Sequence, residues 1–294
     1  MQQLAYLVAL ADHGHFGRAA EASFVSQPAL STQIRELERR LGTTLVERMT
    51  TGARLTPEGA EVVVRARRII AELNDLVTAA RFDPDALHGT VHLGVIPTLA
   101  PYVLPRVVAT LTSRHPGIEL HLHELRTDDL VQEITDGTVD IGLLALPAPI
   151  GGLVEARLGD DPFLLALSEA HPLAKARGPI DDKDLRNLRI LLLEEGHCLR
   201  EQAAAACRLA KIEPADIQAT SLPALVQMVA AGMGATYLPA SATAVEARPG
   251  NGVVTKRLKH PSHRTIGLAW RSTSPRSNHY VELAKLLKPA LRFS

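Results

Sequence analysis

The residues of this chain whose type most directly implies chemistry are its two cysteines, Cys198 and Cys207. Cys198 follows a glycine that ends a strand-like run, so we expect it at or near the first turn of a helix. The amino terminus of a helix stabilises an anion and favours the thiolate, which is the form of cysteine that peroxide oxidises. We expect His197 and Arg200 to add positive charge there, opposed by two preceding glutamates.

The spacing of the two cysteines limits how they can pair. If residues 198–207 are helical, the two Cα atoms lie about 13.5 Å apart, whereas a disulfide needs roughly 4.4–6.8 Å. Bond formation would then require the helix to unwind, so that Cys198 is oxidised first and Cys207 attacks it afterwards. The alternative is that both cysteines are small buried core residues, which is the usual environment of a free cysteine.

Composition narrows the class of protein. The chain has 294 residues, of which 46% are hydrophobic, with 32 basic and 32 acidic residues. This length predicts two or three folding units, and the balanced charge gives no general indication of nucleic-acid or membrane binding. No apolar stretch of about 18 residues is present, and the first residues lack a signal-peptide pattern. We therefore expect a cytoplasmic protein with no membrane partner, in which a disulfide between the two cysteines would be transient.

Hydrophobic periodicity predicts how the chain is organised. We expect helices over residues 4–11, 17–23 and 27–41, a turn at Gly52 between two extended pieces, and a long helix from Thr56-Pro57 to about residue 80. Residues 81–90 are typical of a linker. From residue 91, strand-like runs alternate with helical ones, which predicts an open α/β sheet. The helical runs lie near residues 102–114, 127–137, 199–210, 221–232 and 278–289.

Residues 17–41 have the pattern of two helices that cross at small side chains. Ser26 is expected to cap the second helix, whose apolar stripe would be Leu30, Ile34, Leu37 and Leu41. The opposite face offers groups suited to the major groove of DNA, namely Pro28, Ser31, Thr32 and Arg35. Arg48 and Arg54 flank the turn and could reach phosphates or the minor groove. An ordinary amphipathic helix pair with a surface hairpin remains the alternative.

The run AAEASFVSQPALSTQIRELERRLGTTLVERMTTGARLTPEGAEVV resembles the amino-terminal domain of LysR-type transcriptional regulators. The resemblance implies a winged helix-turn-helix (1–59), a linker and dimerisation helix with a hinge (60–88), and a two-lobed sensor resembling periplasmic binding proteins (89–294). Lobe I would comprise about 89–160 and 266–294, and lobe II about 161–265. By the same resemblance, the residues that enter the major groove are Gln27, Pro28, Ser31, Thr32 and Arg35, with Arg48 and Arg54 at the backbone or minor groove.

The run EEGHCLREQAAAAC resembles the redox segment of the peroxide-sensing OxyR branch of that family. The resemblance implies that Cys198 reacts with peroxide and that Cys207 resolves it as an intramolecular disulfide. Matching segments elsewhere imply a peroxide pocket formed by Thr98, Thr127, His197, Arg264 and Asp140. One position departs from the pattern, because Asp216 stands where some relatives carry a histidine close to the reactive cysteine. This departure puts in doubt how the reactivity of the Cys198 thiol is tuned, but not the identity of the two cysteines.

The fold class predicted from these patterns is α/β, with a winged helix-turn-helix, a long linker helix and the two-lobed sensor. The function implied is a peroxide-sensing activator, not an enzyme, with no cofactor and no metal site. Its expected partners are promoter DNA, hydrogen peroxide, further copies in a homodimer or dimer of dimers, RNA polymerase and a thiol reductant. The alternatives are a LysR-type regulator with inert cysteines that binds a small ligand between the lobes, a thiol enzyme, and a solute-binding protein.

Overall fold

The structure is a computed structural model that describes residues 1–50, 52–80, 89–148 and 151–293. Its contacts divide the chain into two compact units. Most of the predicted linker at 81–90 lies outside the described residues. The elements of the first unit are α1 (Gln2–His13), α2 (Phe16–Ala22), α3 (Gln27–Leu41), β1 (Val46–Met49), β2 (Gly52–Leu55) and α4 (Pro57–Ala80).

The predicted bounds of α3 are confirmed, and the physical signals that set them are visible. The Ser26 side chain accepts a hydrogen bond from the amide of Ala29, and Gly42 ends the helix in the left-handed conformation, with φ of 69°. Glycine adopts this conformation without a steric penalty. The apolar stripe is confirmed at Leu30, Ile34 and Leu37. It is wrong at Leu41, which is 50% exposed because the helix ends there beyond the core.

The start of α4 is fixed by one threonine and one glycine. Thr56 Oγ1 accepts from the amide of Gly59 at 2.9 Å and donates to the carbonyl of Thr44 at 2.8 Å, which confirms the predicted amino-terminal cap. A Cβ atom at Gly59 would lie 2.0 Å from the carbonyl oxygen of Leu45. Only glycine lets the helix approach the preceding chain this closely, so the hairpin and α4 are held together at this point.

The second unit alternates strands and helices, as predicted for an α/β domain. A 3-10 helix at Pro172–Lys175 interrupts the series. Its elements are β3 (Gly89–Val95), α5 (Ala100–Arg114), β4 (Ile118–Glu124), α6 (Thr127–Asp136), β5 (Ile141–Leu146), β6 (Leu153–Ser168), α7 (Asp182–Leu185), β7 (Leu192–Leu193), α8 (Cys198–Ala210), β8 (Gln218–Ala219), α9 (Leu222–Ala230), β9 (Thr236–Pro239), α10 (Ala240–Glu246), β10 (Val253–Lys256), β11 (His263–Arg271) and α11 (Ser277–Ala290).

The main sheet has the strand order β10-β6-β11-β5-β3-β4, with β9 also paired to β6. Strands β3, β4 and β5 are parallel to one another, and β11 is antiparallel to both β5 and β6. The amino-terminal part of β6 pairs with β11, whereas its carboxy-terminal part pairs with β9 and β10. The strand β6 therefore joins the two halves of the sheet.

Several elements escaped the sequence patterns. The apolar run FLLALS at 163–168 predicts a strand, but strand β6 begins ten residues earlier, at Leu153. The first half of β6 has no apolar run, because its apolar residues alternate with charged and polar ones. The run at 189–195 contributes a strand of only two residues, β7. The short elements β8, β10 and α10 were not predicted, since each is too brief to carry a period of its own. No helix in the described part of the chain is long and apolar enough to cross a membrane.

Candidate functional site

The centre of the site is an ion pair with no exposure to solvent. Arg264 on β11 and Asp161 on β6 are directly opposite each other in the antiparallel ladder. The Nε and Nη2 atoms of Arg264 each lie 2.9 Å from Oδ2 of Asp161, and both side chains are 0% exposed. A buried charge is tolerated only when it is paired and its remaining polar atoms are hydrogen-bonded.

Further hydrogen bonds from this pair hold two other elements in place. Arg264 donates to Thr98 Oγ1 at 3.0 Å and to the Thr98 carbonyl at 3.1 Å. Asp161 accepts from the amide and the hydroxyl of Ser241, at 2.9 and 2.7 Å. Thr98 precedes α5 and Ser241 lies in α10. The ion pair thus fixes the predicted residue Thr98 against β6, β11 and α10.

Asp161 and Ser241 were missed by the sequence analysis. Asp161 lies in the run GDDPF, which is typical of a turn, and Ser241 lies in a short helix of small residues. The structure shows instead that Asp161 is inside a continuous strand. Only the antiparallel pairing of β6 with β11 brings its carboxylate to Arg264.

Thr127 lies at the same edge of the sheet as Thr98. Thr98 follows the carboxyl end of β3 and Thr127 follows that of β4, and these two strands are parallel neighbours. Ligands of open α/β sheets bind at this edge. Thr127 is 7% exposed, and its Oγ1 has no hydrogen-bond partner among the described residues.

Arg126 joins the segment of Thr127 to the cysteine segment. Its guanidinium forms an ion pair with Glu194 and donates to the carbonyl of Glu195 at 3.3 Å. The backbone then turns at Gly196, whose φ is 89°, and a Cβ atom there would lie 3.0 Å from the Arg126 guanidinium. The glycine therefore provides both the turn and the space for this contact, immediately before His197 and Cys198.

His197 is buried, and its surroundings favour the neutral imidazole. Burial lowers the pKa of His197 from its usual value near 6.5, and the nearby Arg126 guanidinium lowers it further, against opposing effects of Glu194 and of a hydrogen bond to the Thr220 backbone. These effects oppose the positive charge that the sequence predicted for His197. Its Nε2 has no hydrogen-bond partner among the described residues.

The two cysteines lie in one helix and are not bonded to each other. Cys198 is the first residue of α8 and is half-buried, whereas Cys207 is 0% exposed. Burial raises the pKa of the Cys207 thiol from 9.0 to about 11, so this residue is protonated at neutral pH. Because residues 198–207 are helical, the Cα atoms are separated by about 13.5 Å. Arg200, predicted to add charge, donates to the Leu193 carbonyl at 2.7 Å.

Asp140, a predicted pocket residue, is not brought to Thr98. It precedes β5 at the amino end, and its Oδ2 accepts from the amide of His92 at 2.8 Å and lies 3.9 Å from Arg276. Thr98 follows the opposite, carboxyl end of the parallel strand β3. The register of β3 with β5 places Asp140 level with His92, three residues before the last residue of β3, so the structure does not bring Asp140 into contact with Thr98. Asp216 is solvent-exposed before β8.

The face of α3 predicted to enter DNA is exposed at Gln27, Pro28, Thr32 and Arg35. Ser31 differs, because it is 8% exposed and accepts from Arg48 Nη1 at 2.9 Å. The Arg48 guanidinium also lies over the ring of Phe16, 4.8 Å from its centroid, a favourable cation–π geometry. Arg54 is exposed on β2. Ser31 thus contacts Arg48 and is buried, unlike the other four predicted residues of this face.

Two family models match the chain and between them span almost all of it. Residues 1–60 match the bacterial regulatory helix-turn-helix of the lysR family. Residues 84–292 match the LysR substrate binding domain.

Individual relatives agree with these matches. The chain is 40% identical over 289 residues to the DNA-binding transcriptional dual regulator OxyR of Escherichia coli, covering 98% of this chain and 94% of that protein. The structure of full-length OxyR from Pseudomonas aeruginosa, with a cysteine-to-aspartate substitution, superposes with a TM-score of 0.80 at 31% identity, over 98% and 97% of the chains. The structure of a hydrogen peroxide-bound cysteine-to-serine mutant of OxyR from Corynebacterium glutamicum superposes with a TM-score of 0.69 at 34% identity. The match covers 98% of this chain and 91% of that chain.

We expect Asp161→Ala to destabilise the protein by about 3–5 kcal/mol, because it leaves the Arg264 guanidinium buried without a counter-charge. The control is Asp160→Ala at the adjacent position, where an exposed carboxylate pairs with Arg157 and contributes less than about 1 kcal/mol. Urea unfolding followed by circular dichroism measures both. Equal free energies of unfolding for the two variants would contradict the structural role given to Asp161.

Proposed function

This chain belongs to the LysR family of bacterial transcriptional regulators, and on that premise we propose that it is a DNA-binding activator that responds to hydrogen peroxide through a reversible disulfide between Cys198 and Cys207. Relatives named as hydrogen peroxide-inducible genes activators, and OxyR structures, support the peroxide response. The residues of this chain support the disulfide step.

The observation that carries the proposal is a pair of buried polar atoms without hydrogen-bond partners among the described residues, one on the residue that precedes Cys198 and one on the residue that follows Arg126. Nε2 of His197 is an acceptor, and Oγ1 of Thr127 can donate and accept. Leaving such an atom unsatisfied costs about 1–3 kcal/mol, so the site favours a small polar ligand. Hydrogen peroxide has two O–H donors and four lone pairs on two oxygens, which suits these atoms. Thr98 can also take part, because Arg264 uses only one lone pair of its hydroxyl oxygen.

The first chemical step is oxidation of Cys198. Cys198 is the first residue of α8, and Nε2 of the preceding residue, His197, is the base available to accept the thiol proton. The sulfur attacks one peroxide oxygen, the O–O bond breaks, and the departing hydroxide takes the proton and leaves as water. Cys198 becomes a sulfenic acid, and the peroxide oxygen is reduced.

The second step requires a change of fold. The Cys207 thiol attacks the Cys198 sulfur, the S–O bond breaks, the S–S bond forms and a second water leaves. In the helical state Cys207 is buried, protonated and about 13.5 Å away along α8. Unwinding of α8 brings the two sulfurs together and exposes Cys207 to water, which returns its pKa toward the ordinary value. A thiol reductant would reverse the reaction.

In this proposal the first unit binds DNA and forms the dimer. We assign DNA recognition to the exposed face of α3 and to Arg48 and Arg54. Dimerisation is assigned to α4, where four apolar side chains at helical spacing are at least 40% exposed: Ile69, Leu73, Leu76 and Val77. A homodimer or a dimer of dimers would place paired recognition helices on a two-fold operator. The proposed domains remain 1–59, 60–88 and 89–294, and contact with RNA polymerase would couple the switch to transcription.

The decisive experiment is intact-mass analysis of reduced full-length protein after about one equivalent of hydrogen peroxide. We expect a loss of about 2 Da with a Cys198–Cys207 cross-linked peptide, a gain of about 16 Da in Cys207→Ser from a trapped sulfenic acid, and no change in Cys198→Ser. DNA footprints of the wild type should change only on oxidation. Survival of both thiols with unaltered footprints would rule the redox switch out and favour a small ligand of the sensor.

The neutral state of His197 gives a prediction with a defined pH dependence. His197→Asn should slow Cys198 oxidation roughly a hundredfold, measured by stopped-flow detection of the sulfenic acid. Because burial lowers the pKa of His197, the ratio of wild-type to variant rates should be constant around neutral pH and fall towards one as the pH is lowered and the base becomes protonated.

The matched control for that measurement is His260→Asn, which removes an exposed imidazole paired with Asp182 and should leave the rate unchanged. A rate ratio of one for His197→Asn across the whole pH range would show that His197 takes no part in proton transfer.

Arg54 in the hairpin provides a test of the DNA surface. With a duplex selected by the wild-type protein from a random pool, Arg54→Ala should lower the slope of log affinity against log salt by about one, because one phosphate contact is lost. Arg65→Ala, which removes an exposed arginine paired with Glu61 on α4, is the control. Identical slopes for wild type and Arg54→Ala would remove Arg54 from the interface.

A further inference from the structure

Three histidines form a cluster on one face of the main sheet, outside the proposed redox site. His92 on β3 is directly opposite His121 on the edge strand β4, and His123 follows two residues later on the same face. Nδ1 of His92 lies 2.9 Å from Nε2 of His123. The ring centroids of His92 and His121 are 5.0 Å apart. Neither the cysteine chemistry nor the DNA surface uses any of these residues.

The contact between His92 and His123 is a hydrogen bond from one ring nitrogen to the other. When both imidazoles are neutral, each has one N–H and one nitrogen lone pair, and the contact holds a single proton. Both facing nitrogens can bind a metal ion once that proton moves to the other nitrogen of its ring, because imidazole binds metal through the lone pair of its neutral form.

The spacing of the two nitrogens matches adjacent ligands of one metal ion. Zinc–imidazole bonds are about 2.0–2.1 Å long, so two such ligands at a right angle have nitrogens about 2.9 Å apart. Imidazole suits zinc, copper and nickel, whereas magnesium and calcium prefer oxygen. We propose that His92 and His123 bind one divalent transition-metal ion of this imidazole-preferring class, as a bidentate site that links β3 to the edge strand β4.

The rest of the coordination shell would be water. No group of three or more ligand side chains among the described residues is arranged to surround a metal ion. His121 directs Nε2 to Glu119 Oε1 at 3.3 Å, so the pair His92–His123 supplies the two protein ligands. Two ligands predict weaker binding than in closed structural zinc sites, which have four. A two-ligand site also leaves coordination positions of the metal ion open for exchange of water with other ligands.

The test is isothermal titration of Ni²⁺ into reduced, full-length protein that carries no affinity tag. Nickel is the probe because it favours imidazole over carboxylate. We expect one saturable site per chain in the wild type and binding that is weaker by roughly tenfold or more in both His92→Gln and His123→Gln. His260→Gln removes an exposed imidazole elsewhere in the same unit, and it should bind Ni²⁺ like the wild type.

Thermal unfolding with and without Ni²⁺ guards against misfolded variants. Binding to the folded state raises the Tm, so the wild type and His260→Gln should gain thermal stability with Ni²⁺. His92→Gln and His123→Gln should fold, as judged by circular dichroism, without that gain. The proposal is overturned if the wild type shows no saturable binding up to about 1 mM Ni²⁺. Equal affinity in all four proteins would also overturn it.

Discussion

The ion pair between Arg264 and Asp161 is the constraint on which the sensor unit depends. It joins β6 to β11 and holds Thr98 and Ser241 at the same time. Two fully buried charges are costly to desolvate, and the pair persists because nearly every polar atom of the carboxylate and guanidinium finds a partner. That requirement leaves little freedom for the elements around it. Strands β6 and β11 at this point, Thr98 before α5 and the start of α10 are therefore held in one geometry.

The helix α8 combines two properties that oppose each other. Its amino terminus leaves Cys198 half-buried at the first residue of the helix, whereas its packing buries Cys207 and keeps that thiol protonated. While the helix is intact, Cys207 is shielded from solvent and lies about 13.5 Å from Cys198 along the helix. In the proposed mechanism, unwinding of this helix would therefore separate peroxide oxidation from disulfide formation.

In the amino-terminal unit, packing buries one of the residues that the sequence predicted to contact DNA. The sequence pattern places Ser31 on the polar face of α3, but its hydroxyl is buried and engages Arg48. Arg48 is held between this hydroxyl and the ring of Phe16. Holding a long side chain in advance reduces the rotamer entropy lost on binding. In this structure Ser31, which the sequence pattern assigned to base contact, holds the guanidinium of Arg48.

The sequence alone determined the helix-turn-helix, the cap at Thr56 and the helical segments of the sensor, because these depend on neighbours within a few residues. It also predicted Thr98, Thr127, His197, Arg264 and Asp140 as pocket residues, and the first four of these are buried in the structure. It did not identify Asp161, Ser241 or the pairing of His92 with His123. Those relationships depend on which strands pair and in which direction, and residues that meet there are up to 103 positions apart. Only tertiary structure decides such contacts, since burial and strand register have no local signature.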